Sequence, residues 1–107
     1  MSVKLGWVGN AFPGHSEASF ARFRGEELYS VHLEAGEAFV LQYNIDLEEG
    51  ILELRMQDGN DDVLWVESFD EPAADESRIS ADEAGWYTLV VQGDDAKGMF
   101  DLTWSVD

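Results

Sequence analysis

No cysteine occurs among the 107 residues, which excludes a disulfide framework, a thiolate metal centre and a cysteine nucleophile. Cations are almost as scarce: six Lys and Arg stand against 23 Asp and Glu, for a net charge of −17. A surface of that sign repels a phosphate backbone and an anionic bilayer, so neither nucleic acid nor membrane is an expected partner. The opening stretch MSVKLGWVGNAF has one Lys and no apolar run long enough for a signal-peptide core or a spanning helix. Also missing are a G-x-S-x-G elbow, an H-E-x-x-H pair and a phosphate-cradling glycine loop. Catalysis is therefore not expected, and no catalytic residue is assigned.

What is present is enough to fold. Hydrophobic residues make up 45% and aromatic residues 12%, too apolar for a disordered acidic tail and consistent with one packed domain over residues 1–107. The charge first serves solubility, and it also attracts cations or a basic partner.

Period-two alternation dominates, with little helical periodicity. From Ala38 to Glu48, Phe39, Leu41, Tyr43, Ile45 and Leu47 share one face while Gln42, Asn44, Asp46 and Glu48 share the other. Gly50 predicts a turn, and Ile51–Gln57, with Leu52, Leu54 and Met56 on one side, predicts the returning arm of a hairpin. The acidic turn 58–62 leads to a strand over Val63–Phe69. Residues 70–75 read as a loop and Arg78–Ser80 as a short edge strand. Trp86–Gln92 aligns Tyr87, Leu89 and Val91, Gly93-Asp94-Asp95 closes it, and Met99–Val106 aligns Phe100, Leu102, Trp104 and Val106. Upstream, Phe20 and Phe23 mark one strand, and Tyr29, Val31 and Leu33 another. Residues 1–18 read as an N-terminal strand or arm, with 19–107 as the core. The sum is an all-β fold, a single antiparallel jelly-roll-like β-sandwich of about eight or nine strands.

Several of these segments resemble a known family. Leu33-Glu34-Ala35-Gly36-Glu37 before a long strand, Gly85-Trp86-Tyr87-Thr88-Leu89-Val90-Val91, and Gly98-Met99-Phe100-Asp101-Leu102-Thr103-Trp104 resemble the bacterial pre-peptidase C-terminal domains and related jelly-roll modules. The resemblance runs from Phe20 to Val106. It implies a non-catalytic accessory module in an extracellular or cell-surface setting, with Ca²⁺ and extended ligands among the ligands of related modules.

Residues that carry chemistry are few. His15 lies in a Pro-Gly-His-Ser turn, and His32 on the polar side of its strand beside Ser30 and Glu34. Neither forms a recognisable catalytic motif. Paired carboxylates such as Glu26-Glu27, Glu48-Glu49 and Asp94-Asp95 are what this acid density produces in solvated turns. Calcium has a sharper candidate. Asp58, Asn60, Asp61 and Asp62 place four oxygen-bearing side chains within five residues and begin like an EF-hand loop, with Asp94 and Asp95 as completing ligands. The pattern stops there, because Val63 stands where that loop needs Gly and Phe69 where it needs Glu. A β-hairpin turn is the simpler reading of these residues, with at most weak Ca²⁺ binding expected.

Of the four Trp, Trp104 is in phase with the core. Trp86 is out of phase with Tyr87, Leu89 and Val91, and Trp65 lies in a strand apolar on both faces. Those two are the candidate ligand contacts. The expected function is a non-catalytic accessory or binding module for protein or glycan. Its alternatives are a small hydrolase and an acidic partner-binding protein that mimics DNA.

Overall fold

The computed structural model describes residues 2–107; Met1, the first residue of the expected N-terminal arm, lies outside the described residues. Seven strands follow in order: β1 (Val3–Leu5), β2 (Val8–Phe12), β3 (His15–Leu33), β4 (Ala38–Gln57), β5 (Val63–Phe69), β6 (Ala73–Ser80) and β7 (Gly85–Val106). All pairings are antiparallel.

Three of the strands are far longer than an ordinary strand, and each serves two layers. In the first layer β2 pairs with the start of β3, which pairs with the end of β7, then the start of β4, then β6. In the second, β1 pairs with the middle of β3, and the end of β3 continues through the start of β7 and the end of β4 to β5. The two layers face each other across one core. Phe39, Leu41, Ile45, Phe100 and Leu102 come from the first and Leu52, Leu54, Met56, Leu89 and Val91 from the second, and all are buried. Aromatic contacts cross the gap: Tyr43 meets Phe69 at 5.2 Å and Tyr29 meets Trp104 at 5.3 Å between ring centroids. So does a hydrogen bond between the hydroxyls of buried Ser16 and Tyr29, 2.6 Å apart. This is the all-β sandwich that the alternation implies.

The strand count differs from the expected eight or nine for a physical reason. Register shifts interrupt β3 between Phe20 and Gly25 and β4 between Leu47 and Ile51. At such a bend one extra residue swaps which parity points inward. In β4 the buried set is Phe39, Leu41, Tyr43, Ile45 and Leu47 before the bend, and Leu52, Leu54 and Met56 after it. β3 changes from Phe20 to Phe23, and β7 from Tyr87, Leu89 and Val91 to Ala96, Phe100 and Leu102. A change of parity with a glycine beside it reads in sequence as a turn between two strands. Here it is a corner within one strand, so the hairpin expected at Gly50 is replaced by the continuous β4.

Gly50 makes that corner feasible. It has φ +78°, and a Cβ there would stand 2.3 Å from the Asp95 carbonyl oxygen. A methyl group would collide with the β7 backbone.

Two smaller differences follow from context. Residues expected as a loop join the edge strand, so β6 begins at Ala73 and pairs with β4 as far as Ile45. The N-terminal segment forms two short strands separated by Gly6 and Trp7, and the Trp7 ring packs on Phe20, Phe23 and Phe100 at centroid distances of 5.6, 5.1 and 6.0 Å. Lys4 Nζ lies over that indole, 4.7 Å from the ring centroid, and pairs with Glu27, tying β1 to β3.

Candidate functional site

The alternation that buries Tyr87, Leu89 and Val91 sends Trp86, Thr88 and Val90 to the outer face of the second layer. Trp86 is 63% exposed there. Register places His32 of β3 directly opposite it, and the imidazole meets the indole edge-on, 5.1 Å between centroids at 79°. The contact limits rotation of the indole while leaving much of it in solvent.

Trp86 borders a groove of about 500 Å³ also lined by Asp58, Asn60, Leu64, Asp82 and Glu83. The β4–β5 turn supplies the first two, and the β6–β7 connection supplies the acidic pair. Local bonds fix both walls. Asp58 Oδ1 accepts from the backbone N–H groups of Asn60 and Asp62 at 2.8 and 3.0 Å, and the Tyr87 hydroxyl donates to the Glu83 carbonyl at 2.6 Å. The result is one apolar plate next to several fixed oxygen acceptors. Farther along the same face Arg55 donates to Glu26 and Gln92, both at 2.6 Å, above nearly fully buried Val90.

The other sequence-derived candidates fall in different places. Trp65 points inward opposite Met56 and packs beside Tyr43 at 6.3 Å, so it belongs to the margin of the core and does not join Trp86. Asp58, Asn60, Asp61 and Asp62 do share one turn, but Asp94 and Asp95 lie at the β7 corner. In the β4–β7 register Asp94 faces Ile51, whereas the acidic turn begins after Gln57, which faces Thr88; at about 3.3 Å per residue the two acidic groups are some 20 Å apart. They do not form one site. Asp95 instead holds Arg22 at 2.9 Å. In the 58–62 turn, Asp58 donates its N–H to the Asp62 carbonyl and Asp61 donates to Asp58, with Asp61 at φ +63°. These bonds account for the turn as the hairpin connection between β4 and β5.

Tyr43 is the clearest perturbed acid. Its hydroxyl is pushed up to about 12, first by burial and then by donating a 2.7 Å hydrogen bond to the Glu67 carboxylate, which favours the protonated phenol. It lies between the two layers, away from the groove.

Trp86 is legible in the sequence through its phase. Its neighbours His32, Asp82 and Glu83 are not, because cross-strand register and the path of the β6–β7 connection bring them there. His32 and Trp86, 54 positions apart in the chain, are joined by the β3–β7 register, with no local signal.

The chain thus has the architecture of a jelly-roll-like β-sandwich with a groove and an exposed aromatic on one face. Among solved structures it is similar to the pre-peptidase C-terminal domain of collagenase from Bacillus anthracis, with TM-score 0.59, 14% identity, and coverage of 76% of this chain and 77% of that one. It is also similar to TmCBM61 in complex with β-1,4-galactotriose, with TM-score 0.61, 15% identity, and coverage of 94% and 86%. A third is the carbohydrate-binding module from Cellvibrio mixtus lichenase 5A in complex with cellotriose, with TM-score 0.54, 13% identity, and coverage of 99% and 86%. At these identities the likeness is one of fold. No protein-family model matches the chain, and no curated protein matches it.

Proposed function

We propose that this domain is a non-catalytic module that binds a neutral glycan, with Trp86 as the stacking platform. The observation that carries this is an indole 63% exposed on a rigid sheet face, braced by His32 and bordered by oxygen acceptors. A pyranose ring has an apolar C–H face suited to an indole and a rim of hydroxyls suited to carboxylate and amide acceptors. The acidity of the groove disfavours uronic or sulfated sugars by like-charge repulsion. Solved domains of this fold in complex with galactotriose and cellotriose support the reading.

The test is intrinsic Trp fluorescence and calorimetry with neutral cello-, galacto-, xylo- and laminari-oligosaccharides, beside acidic ones. Binding of at least one neutral sugar is expected, with Trp86→Ala weakening it at least about tenfold, or ~1.4 kcal/mol. Absence of binding by every sugar at millimolar concentration would overturn the proposal. Weak Ca²⁺ binding at Asp58–Asp62 remains an accessory part of this reading, checked by melting temperature in Ca²⁺ against chelator.

A protein ligand is the second reading, favoured by the outer edge of β5, where Val63, Leu64 and Val66 are 50%, 45% and 52% exposed. An edge of that kind accepts another strand. Loss of a captured partner on Val66→Lys, with sugar binding absent, would select it.

A further inference from the structure

On the opposite layer, His15 and Glu17 are two residues apart on β3 and so project from the same outer face. Asp101 of β7 stands directly across from Glu17 in the register. His15 Nε2 lies 2.7 Å from Asp101 Oδ1 and 3.9 Å from Glu17 Oε2, and one ligand atom from each residue falls within 4.8 Å of the others. Among the described residues this is the one group of three such side chains gathered so closely. It includes one of only two histidines in the chain.

From this geometry we infer a divalent transition-metal site, of the zinc class, held by His15 Nε2, one Glu17 oxygen and one Asp101 oxygen. Tetrahedral ligands at zinc-like bond lengths stand about 3.3 Å apart. The observed 2.7 and 3.9 Å separations bracket that value, so small side-chain adjustments bring all three onto one ion. The backbone beneath them is fixed by continuous β3–β7 pairing from His15 to Phe20. The imidazole is oriented as well: Phe12 of β2 stacks on it, 6.4 Å between centroids at 29°.

The donor set decides the metal. One imidazole nitrogen with two carboxylates suits zinc, nickel or cobalt, whereas calcium takes six to eight oxygens. All three side chains are 36–45% exposed, which leaves the remaining coordination position open to water or to a donor atom from a ligand. The net charge of −17 raises the local concentration of any cation. The site lies on the other layer from Trp86, so it stands whether or not a glycan binds there.

The test is a Zn²⁺ titration of the whole domain in excess Ca²⁺ at fixed pH, followed by calorimetry and by amide spectra, with Co²⁺ absorption as a second readout. Expected are one Zn²⁺ per chain, shifts confined to β2, the start of β3 and the end of β7, and a tetrahedral Co²⁺ band. His15→Gln and Asp101→Asn each weaken binding more than about tenfold, and His32→Gln leaves it unchanged. Preserved amide dispersion shows that each variant is folded. Wild-type affinity in His15→Gln, displacement of Zn²⁺ by Ca²⁺, or no saturable binding at millimolar Zn²⁺ would each overturn the inference.

Discussion

Replacing Gly50 with Ala tests the corner at which the sandwich is folded. The substitution places an L side chain at φ +78°, which costs about 1–2 kcal/mol. It also puts a methyl carbon 2.3, 2.6 and 2.7 Å from Asp95 O, Asp95 C and Ala96 Cα. All three are backbone atoms, and β7 cannot retreat without stretching the pairs Glu49↔Lys97 and Ile51↔Asp94 on either side. Overpacking of this kind adds about 1–3 kcal/mol, so the total is about 2–5 kcal/mol. Gly36→Ala is the internal control. Its φ of +87° carries a similar conformational cost, but nothing lies within 4 Å of the added carbon. That variant should lose only about 1–2 kcal/mol. At roughly 4–8 °C per kcal/mol, Gly36→Ala melts about 4–16 °C below the wild type and Gly50→Ala a further ~4–24 °C below that. Scanning calorimetry with urea titration measures both. Equal losses would refute the claim that β4 crosses closely over β7 at this residue.

Two further outcomes follow from charge. Tyr43 ionises near 10 in the unfolded chain and near 12 in the fold, so the fold holds the protonated phenol. Its contribution, on the order of 2 kcal/mol after allowance for solvent screening, is complete below pH 10 and is lost as pH rises to 12; Tyr43→Phe should flatten that part of a pH-melting curve. With a net charge of −17 the folded state repels itself, so melting temperature should climb by several degrees as salt shortens the screening length from about 30 to about 3 Å. A flat salt profile would contradict this.

Most inward faces were legible in the sequence because each long strand alternates within one layer, although Val106, expected inward, is 43% exposed at the end of β7. Phe39 to Leu47, Leu52 to Met56 and Tyr87 to Val91 all point as the pattern implies. The corners were not legible as corners. A parity change at Gly50 or Gly93–Asp95 is the same local signal whether the chain reverses or bends, and only pairing with a third strand distinguishes the two. Trp7 could not be placed for a related reason: its partners Phe20, Phe23 and Phe100 belong to strands that meet only after folding.

The sites divide in the same way. Trp86 stood out because it broke phase with a buried run, and Asp58–Asp62 because they are contiguous. The union of Asp58–Asp62 with Asp94 and Asp95 failed because strand length keeps their corners apart. His15 and Asp101 are 86 positions apart, and His15 read as part of a turn; the register of β3 against β7 is what joins them.

The most direct measurement is the set of indole N–H resonances of the four Trp, followed while neutral oligosaccharides are titrated into the domain. The account predicts a saturable shift of the Trp86 indole, with amides of His32 and the 82–85 connection moving alongside it, while Trp7 and Trp104 stay in place. Shifts centred on any other tryptophan, or none with any neutral sugar, would contradict it.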